Sequence, residues 1–108
     1  MQSLNEKDKM ANYKLSTLAA KDFETIFDYG IDTFGLVKAL EYQNNLKKRF
    51  DELAQQPLLY PTVAHIRQGY RKSVYGSHSI YYKQQDQDVI VIRILGQQDI
   101  FKALESFT

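Results

Sequence analysis

Two kinds of spacing divide the apolar positions of this chain. From Leu18 to about Thr33, Leu18, Ala19, Phe23, Ile26, Phe27 and Ile31 recur in steps of three and four, which lines one face of a helix. Ser16 or Thr17 stands ready to cap it, a hydroxyl accepting an otherwise unpaired backbone N–H. Asp22 and Glu24 fall in the early turns, where the positive end of the helix dipole favours carboxylates. Asp32-Thr33-Phe34-Gly35 should end it. A second helix is expected from Leu36 to about Gln55, with Leu36, Ala39, Leu40, Gln43, Leu46, Phe50 and Leu53 as its stripe. Pro57 and Pro61 forbid its continuation, and the short connection folds the two helices into an antiparallel hairpin. Lys47-Lys48-Arg49 reads as a solvated helix face.

Elsewhere the period is two. Tyr13 to Leu15 alternates as a short first strand. Ile66 to Gln84 reads as two strands turned back on each other at Gly76-Ser77, rich in the Tyr, Val and Ile that pleated positions favour. Gly69 interrupts the first of them and marks a candidate bulge, leaving the face of Arg71 and Lys72 open. In the next strand His78, Ile80 and Tyr82 share one face, and Ser79, Tyr81 and Lys83 the other. Val89 to Leu95 is the most apolar strand, with Arg93 on its less covered face. Asp99 is placed to cap a last short helix, Ile100 to about Phe107. The order is β-α-α-β-β-β plus a C-terminal helix: an α+β fold with a helix hairpin packed on an antiparallel sheet. Residues 1–11 read as a flexible tail and 12–108 as a single small domain.

Composition narrows the chemistry. The 44% apolar content of the 108 residues excludes an extended disordered chain. Formal charge is only +1, so nothing global points to nucleic acid. Charge is nevertheless segregated: between His65 and Gln85 every charged residue is a cation. There is no cysteine, hence no disulfide and no thiolate metal site. His65 and His78 lack metal-ligand spacing, no apolar run could span a bilayer, and the N-terminus is unlike a secretory signal. No cofactor or metal is expected, and a cytoplasmic location is. No phosphate-binding glycine loop or nucleophile elbow is present.

The segment from Ile66 to Tyr82, I-R-x-G-Y-R-K-x-x-x-G-S-H-x-I-Y-Y, resembles the ParE branch of the RelE/ParE toxin superfamily. So do the opening Y-K-L-S-x-x-A-x-x-D-F from Tyr13 and the closing V-I-R-I-L-G-x-x-D from Val91. The resemblance covers about Asn12 to Leu104. It implies a bacterial toxin of a type II toxin–antitoxin system, neutralised by a ParD-like antitoxin encoded beside it. ParE-type members act on DNA gyrase, and the family points to the subunit that cuts DNA. RelE-type members are ribosome-dependent mRNA endoribonucleases, which is the alternative reading. Metal-free RNA cleavage needs a base, an acid and cations for the phosphorane charge. The RelE-type strand arginine falls here at Ser79, the next near Gln98, and the terminal segment offers Phe101 and Phe107 in place of a tyrosine. Lys72 is the one match to a catalytic lysine, and His78 is either a replacement base or a hydrogen-bonded structural group. Losing one charge-stabilising donor typically costs about 100- to 1000-fold. The expectation is therefore a non-enzymatic gyrase inhibitor with no catalytic residues and no direct sequence-specific contact with nucleic acid.

Arg67, Tyr70, Arg71, Lys72, Tyr75, Tyr81 and Arg93 are the candidate partner-binding residues, because Arg and Tyr dominate interface hot spots. Alternatively, Arg71 pairs with a carboxylate such as Asp99. Phe23, Phe27, Leu46 and Phe50 are expected to form an antitoxin groove. A sheet face carrying Tyr81, Val89 and Val91 is expected to stay open in the isolated protein.

Overall fold

A computed structural model of the protein describes residues 11–96. The element order is β1 (Tyr13–Leu15), α1 (Thr17–Phe34), α2 (Leu36–Gln55), β2 (Tyr70–Tyr75), β3 (His78–Gln85) and β4 (Asp88–Gly96). Both helices packed on one face of a four-stranded sheet give the expected α+β order. The Asp99 cap and the Ile100–Phe107 helix lie outside the described residues, as does most of the 1–11 tail. The strand order is β1-β4-β3-β2. The β2–β3 and β3–β4 pairs are antiparallel, but β1 runs parallel to β4, so the sheet is mixed. A three-residue strand carries too little pattern to reveal which neighbour it joins or in which direction.

Ser16 caps α1, its Oγ accepting from the Ala19 N–H at 3.0 Å. Gly35, at φ 92°, makes the single-residue turn between the helices, and its N–H bonds to the Ile31 carbonyl at 3.0 Å. Gly30 lets the helices close: a Cβ there would lie 3.2 Å from the Ala39 Cβ. Ala19, Leu46, Phe50, Leu53 and Ala54 pack from the helices onto Ile80, Tyr82, Val89, Val91 and Ile94 of the sheet.

The bulge sits in β4 rather than at Gly69. Tyr81 pairs with Arg93 and Tyr82 with Val91, which leaves Ile92 as an extra residue. Gly69 instead has φ 89° in the turn that leads into β2, so β2 starts at Tyr70 and not near Ile66. The bulge resets the alternation of β4. Val89, Val91 and Ile94 all face the helices, whereas Leu95 joins Val63, Tyr70 and Tyr81 in a second cluster on the other face. The expectation of an open face bearing Tyr81, Val89 and Val91 therefore fails. Val89 and Val91 are in the helix-side core, and Tyr81 is buried with Val63 and Ile66 from the segment before β2.

α1 satisfies the polar groups that the bulge frees. Ser16 Oγ donates to the Ile92 carbonyl at 2.7 Å. Asp22 accepts from Arg93 Nε at 2.7 Å, Arg93 Nη2 at 3.0 Å and the Ile94 N–H at 3.0 Å. Asp22 is thus a tertiary anchor, deeper in the helix than a dipole-favoured carboxylate of the first turn would be. Arg93 reaches this anchor on α1 and does not lie on a bare face.

Two outcomes follow. Asp22→Ala should destabilise the fold by about 2–4 kcal/mol, because it strands a mostly buried guanidinium and a strand N–H; urea unfolding measures this. A change near zero would show that water replaces the carboxylate. Burial raises the Tyr82 hydroxyl above its usual range, with the Arg71 charge pulling the other way, and the hydroxyl donates to the Pro57 carbonyl at 2.8 Å. A raised folded value means that its stabilising contribution is complete below the unfolded pKa of about 10 and is lost as pH rises through the folded value. The urea midpoint should fall with alkaline pH from there, and less steeply in Tyr82→Phe.

Candidate functional site: the groove beside the hairpin and the cationic strands

The helix hairpin and the β2–β3 turn border a shared space. The result is a cavity of about 400 Å³ lined by Phe23, Ile26 and Phe27 of α1, Ala39, Tyr42 and Leu46 of α2, and Tyr75 and His78 of the hairpin. Three of the four expected groove residues line it. Phe50 does not; it lies fully buried, its ring tilted against Phe23 at 5.9 Å and Tyr13 at 5.2 Å between ring centroids. The groove continues onto an apolar hairpin tip, where Tyr29, Phe34, Leu36, Val37 and Leu40 are exposed. Leu36 and Leu40, expected to face the core, are on this tip.

Tyr42 organises the closed end. Its ring tilts against Tyr75 at 5.2 Å and His78 at 5.6 Å. Its hydroxyl lies 3.1 Å from the Tyr75 carbonyl and 2.7 Å from His78 Nδ1. A hydroxyl has one proton to donate, so both contacts are hydrogen bonds only when Nδ1 carries a proton and Tyr42 donates to the carbonyl. Burial pushes the Tyr42 hydroxyl up, partly offset by hydrogen bonds to Ser77. Gly76, at φ 57°, favours glycine for a second reason: a Cβ would meet Tyr42 Oη at 2.6 Å, so Tyr42 would have to shift from its contacts. Tyr42 drew no attention in the sequence because one polar aromatic in a helix stripe looks like core. Of the two roles open to His78, the hydrogen-bonded one is present here.

The cations separate. Arg49, expected to be solvated with Lys47 and Lys48, leaves that face. Its Nη1 donates to Ser73 Oγ at 2.7 Å and the Val74 carbonyl at 3.0 Å, its Nε reaches Glu52 at 3.1 Å, and its guanidinium lies 5.4 Å from the Tyr60 and Tyr75 ring centres. Arg71 and Lys72 fall on opposite faces of β2. Arg71 shares the parity of buried Tyr82 and donates from Nη1 to the Tyr60 carbonyl at 2.6 Å, while Lys72 pairs with Tyr81 on the other face. Arg67 is exposed in the turn before β2, and Tyr70 is buried in the second cluster. The candidate partner residues thus form no single patch. Tyr75 belongs to the groove; Lys72, Tyr81 and Tyr70 belong to the far face; Arg71 and Arg93 hold structural contacts. No carboxylate lies between Glu52 and Asp86, so the far face of β2 and β3 is positive, with Lys72 and Lys83 partly exposed on it. Among the described residues no group of three or more His, Asp or Glu could hold a metal ion, and no helix is long and apolar enough to cross a membrane.

Comparison with known proteins decides the family. Residues 13–101 match the family model described as "ParE toxin of type II toxin-antitoxin system, parDE". The chain belongs to the ParE toxin family. Toxin ParE1 of Mycobacterium tuberculosis is 34% identical over 89 residues, 82% of this chain and 91% of the relative. Toxin ParE1 of Caulobacter vibrioides is 31% identical over 88 residues, with the same shares covered. A chain of the solved chromosomal ParDE TA system from P. aeruginosa shares the fold, with a TM-score of 0.68 over 81% of this chain and 96% of that one, at 20% identity. The I-R-x-G-Y-R-K…G-S-H segment that carries the family resemblance is therefore the turn into β2, β2 itself, and the hairpin that closes the groove.

Arg49 and Lys48 are neighbours with opposite expected behaviour. Arg49→Ala should cost about 2–3 kcal/mol, since it removes charge-assisted bonds to β2 and leaves the buried Ser73 hydroxyl unpaired. Lys48→Ala should change stability by no more than about 0.5 kcal/mol. Equal effects in urea unfolding would contradict the clamp.

Proposed function

We propose that this ParE-family toxin acts in the cytoplasm by poisoning DNA gyrase, stabilising the cleaved gyrase–DNA complex without performing chemistry itself. A ParD-like antitoxin neutralises it. The observation that carries the reading is the family match over residues 13–101. Further support comes from the third strand. Ser79, standing where a RelE-type nuclease has an arginine, is 5% exposed, so neither its charge nor its access suits phosphorane stabilisation. Binding shifts gyrase towards its cleaved state only if the toxin prefers that state over the religated one.

The two surfaces divide the work in this reading. The positive far face of β2 and β3, with Lys72 and Lys83 flanking Tyr81, serves the gyrase–DNA complex. The apolar groove and hairpin tip receive an amphipathic antitoxin helix, a mode in which apolar side chains at helical spacing anchor in a groove. A stable complex of this kind buries more than about 1,200 Å² in total.

The test separates contact from stability. Antitoxin-free toxin should inhibit supercoiling and trap covalent gyrase–DNA complexes. Lys72→Ala with Lys83→Ala should weaken this by about fivefold or more with the melting temperature unchanged. Arg71→Ala should lower stability, because it loses the Tyr60 carbonyl. Phe27→Asp should weaken antitoxin binding by about tenfold or more while sparing gyrase inhibition. No effect on gyrase at stoichiometric excess would sink the proposal, and codon-phased cuts in messenger RNA on primer extension would return the nuclease reading.

A further inference from the structure

Lysines from three strands share the face of the sheet turned away from the helices. Tyr13 and Leu15 pack against the helix-side core, so Lys14 between them lies on the far side. Lys14 pairs with Ile90 in the β1–β4 ladder, and Lys83 pairs with the same residue in the β3–β4 ladder. The two lysines thus stand two strand spacings apart, about 10 Å. Lys72 pairs with Tyr81, two residues before Lys83, which sets it on the diagonal at about 7–8 Å. Lys14 is exposed and the other two are partly exposed. Among the described residues none of the three forms a salt bridge. Asp88, the only carboxylate in the four strands, stands two residues before Ile90 and accepts the Asn12 N–H at 3.0 Å.

The type and spacing of these cations select a ligand. A lysine ammonium is a compact point charge on a flexible stem, without the planar fork by which arginine grips a single carboxylate. Lysines spread over about 10 Å of a sheet face suit negative charge that is dense and continuous. A DNA duplex carries about one phosphate charge per 1.7 Å of axis, hence about six over that span. An acidic peptide would have to place its carboxylates at the lysine spacings. We propose that the far face of the sheet binds the phosphate backbone of duplex DNA directly, through Lys14, Lys72 and Lys83. Contacts of this kind fix a protein's position on a duplex and read no sequence. The inference rests on the gyrase reading for its setting and deepens it. In the gyrase–DNA complex this face meets the DNA, and the helix hairpin on the opposite side of the sheet is turned away from it.

Fluorescence anisotropy of a short labelled duplex, titrated with antitoxin-free toxin, reads the contact without gyrase. Binding should be equal for duplexes of unrelated sequence. It should weaken about 40-fold between 50 and 200 mM salt, the dependence expected when three phosphates are neutralised. Lys14→Gln, Lys72→Gln and Lys83→Gln together should remove this salt dependence. Lys14→Gln alone should lower the slope of log K against log salt by about 0.9, and that slope decides the matter if the triple variant does not fold. Lys21→Gln, Lys47→Gln and Lys48→Gln remove the same charge from exposed helix positions. They should leave the affinity within about twofold, because charges away from the contact are screened. No binding at 50 mM salt, an equal loss in the helix variant, or polyglutamate bound as tightly as DNA would overturn the proposal. A toxin that traps gyrase without binding naked DNA would also overturn it and leave the gyrase reading standing. Naked DNA bound through these lysines with no effect on gyrase would uphold it and remove the gyrase reading.

Discussion

One extra residue in β4 governs how the helices sit on the sheet. Ile92 breaks the ladder between Tyr81 and Tyr82, and a bulge leaves backbone groups that must find partners elsewhere. α1 supplies them. Ser16 caps its own helix and donates to the Ile92 carbonyl, and Asp22, six residues on, takes the Ile94 N–H and the Arg93 guanidinium. The start of α1 is therefore fixed at two points on one strand. Further along the same helix Phe23 and Ile26 pack against the core and also line the groove.

At the other end of the groove the anchor comes from α2. Arg49 binds β2 through Ser73 and Val74 and lies over the rings of Tyr60 and Tyr75, while Tyr42 reaches Tyr75 and His78 about two turns earlier. The hairpin is thus attached to the second helix by polar and aromatic contacts, whereas the middle of the sheet is attached mainly by the buried cluster of Leu46, Phe50, Leu53, Ile80, Tyr82, Val89 and Val91. A surface that must accept a partner without deforming needs rigid walls of this type. Charge follows the same division. The far side of β2 and β3 has no carboxylate of its own to neutralise Lys72 and Lys83, which leaves a field that can steer an anionic partner.

Much of this architecture was legible in the chain because its local signals agree. The stripes of both helices, the Ser16 cap, the glycine stop after Phe34 and the two-residue turn at Gly76-Ser77 each state one local conformation. What was not legible depends on pairing across long separations. Nothing near Ile92 marks a bulge, since it is an ordinary β-branched residue in an apolar run. Its consequence, that Val91 and Ile94 share a face, defeats any count by twos. The parallel choice of β1 and the cover over Tyr81 from Val63 and Ile66 are likewise non-local. The candidate site divides in the same way. Phe23, Phe27 and Leu46 follow from periodicity, but the split of Arg71 from Lys72 and the recruitment of Arg49 out of a cation run require knowing which strand each faces.

The margins of the sheet have a consequence for how the protein behaves in a crowded cell. Open strand edges are templates on which further strands, from the same or another chain, can add. Here β2, an outer strand, already has part of its free edge filled. Val63 N–H bonds to the Tyr70 carbonyl at 2.8 Å, Lys72 N–H to the Pro61 carbonyl at 3.1 Å, and Thr62 bridges Arg71. β1, the other margin, is three residues long with exposed Lys14 at its centre. Among the described residues neither margin presents a long, flat, apolar edge, so the sheet offers little purchase to growing β-aggregates.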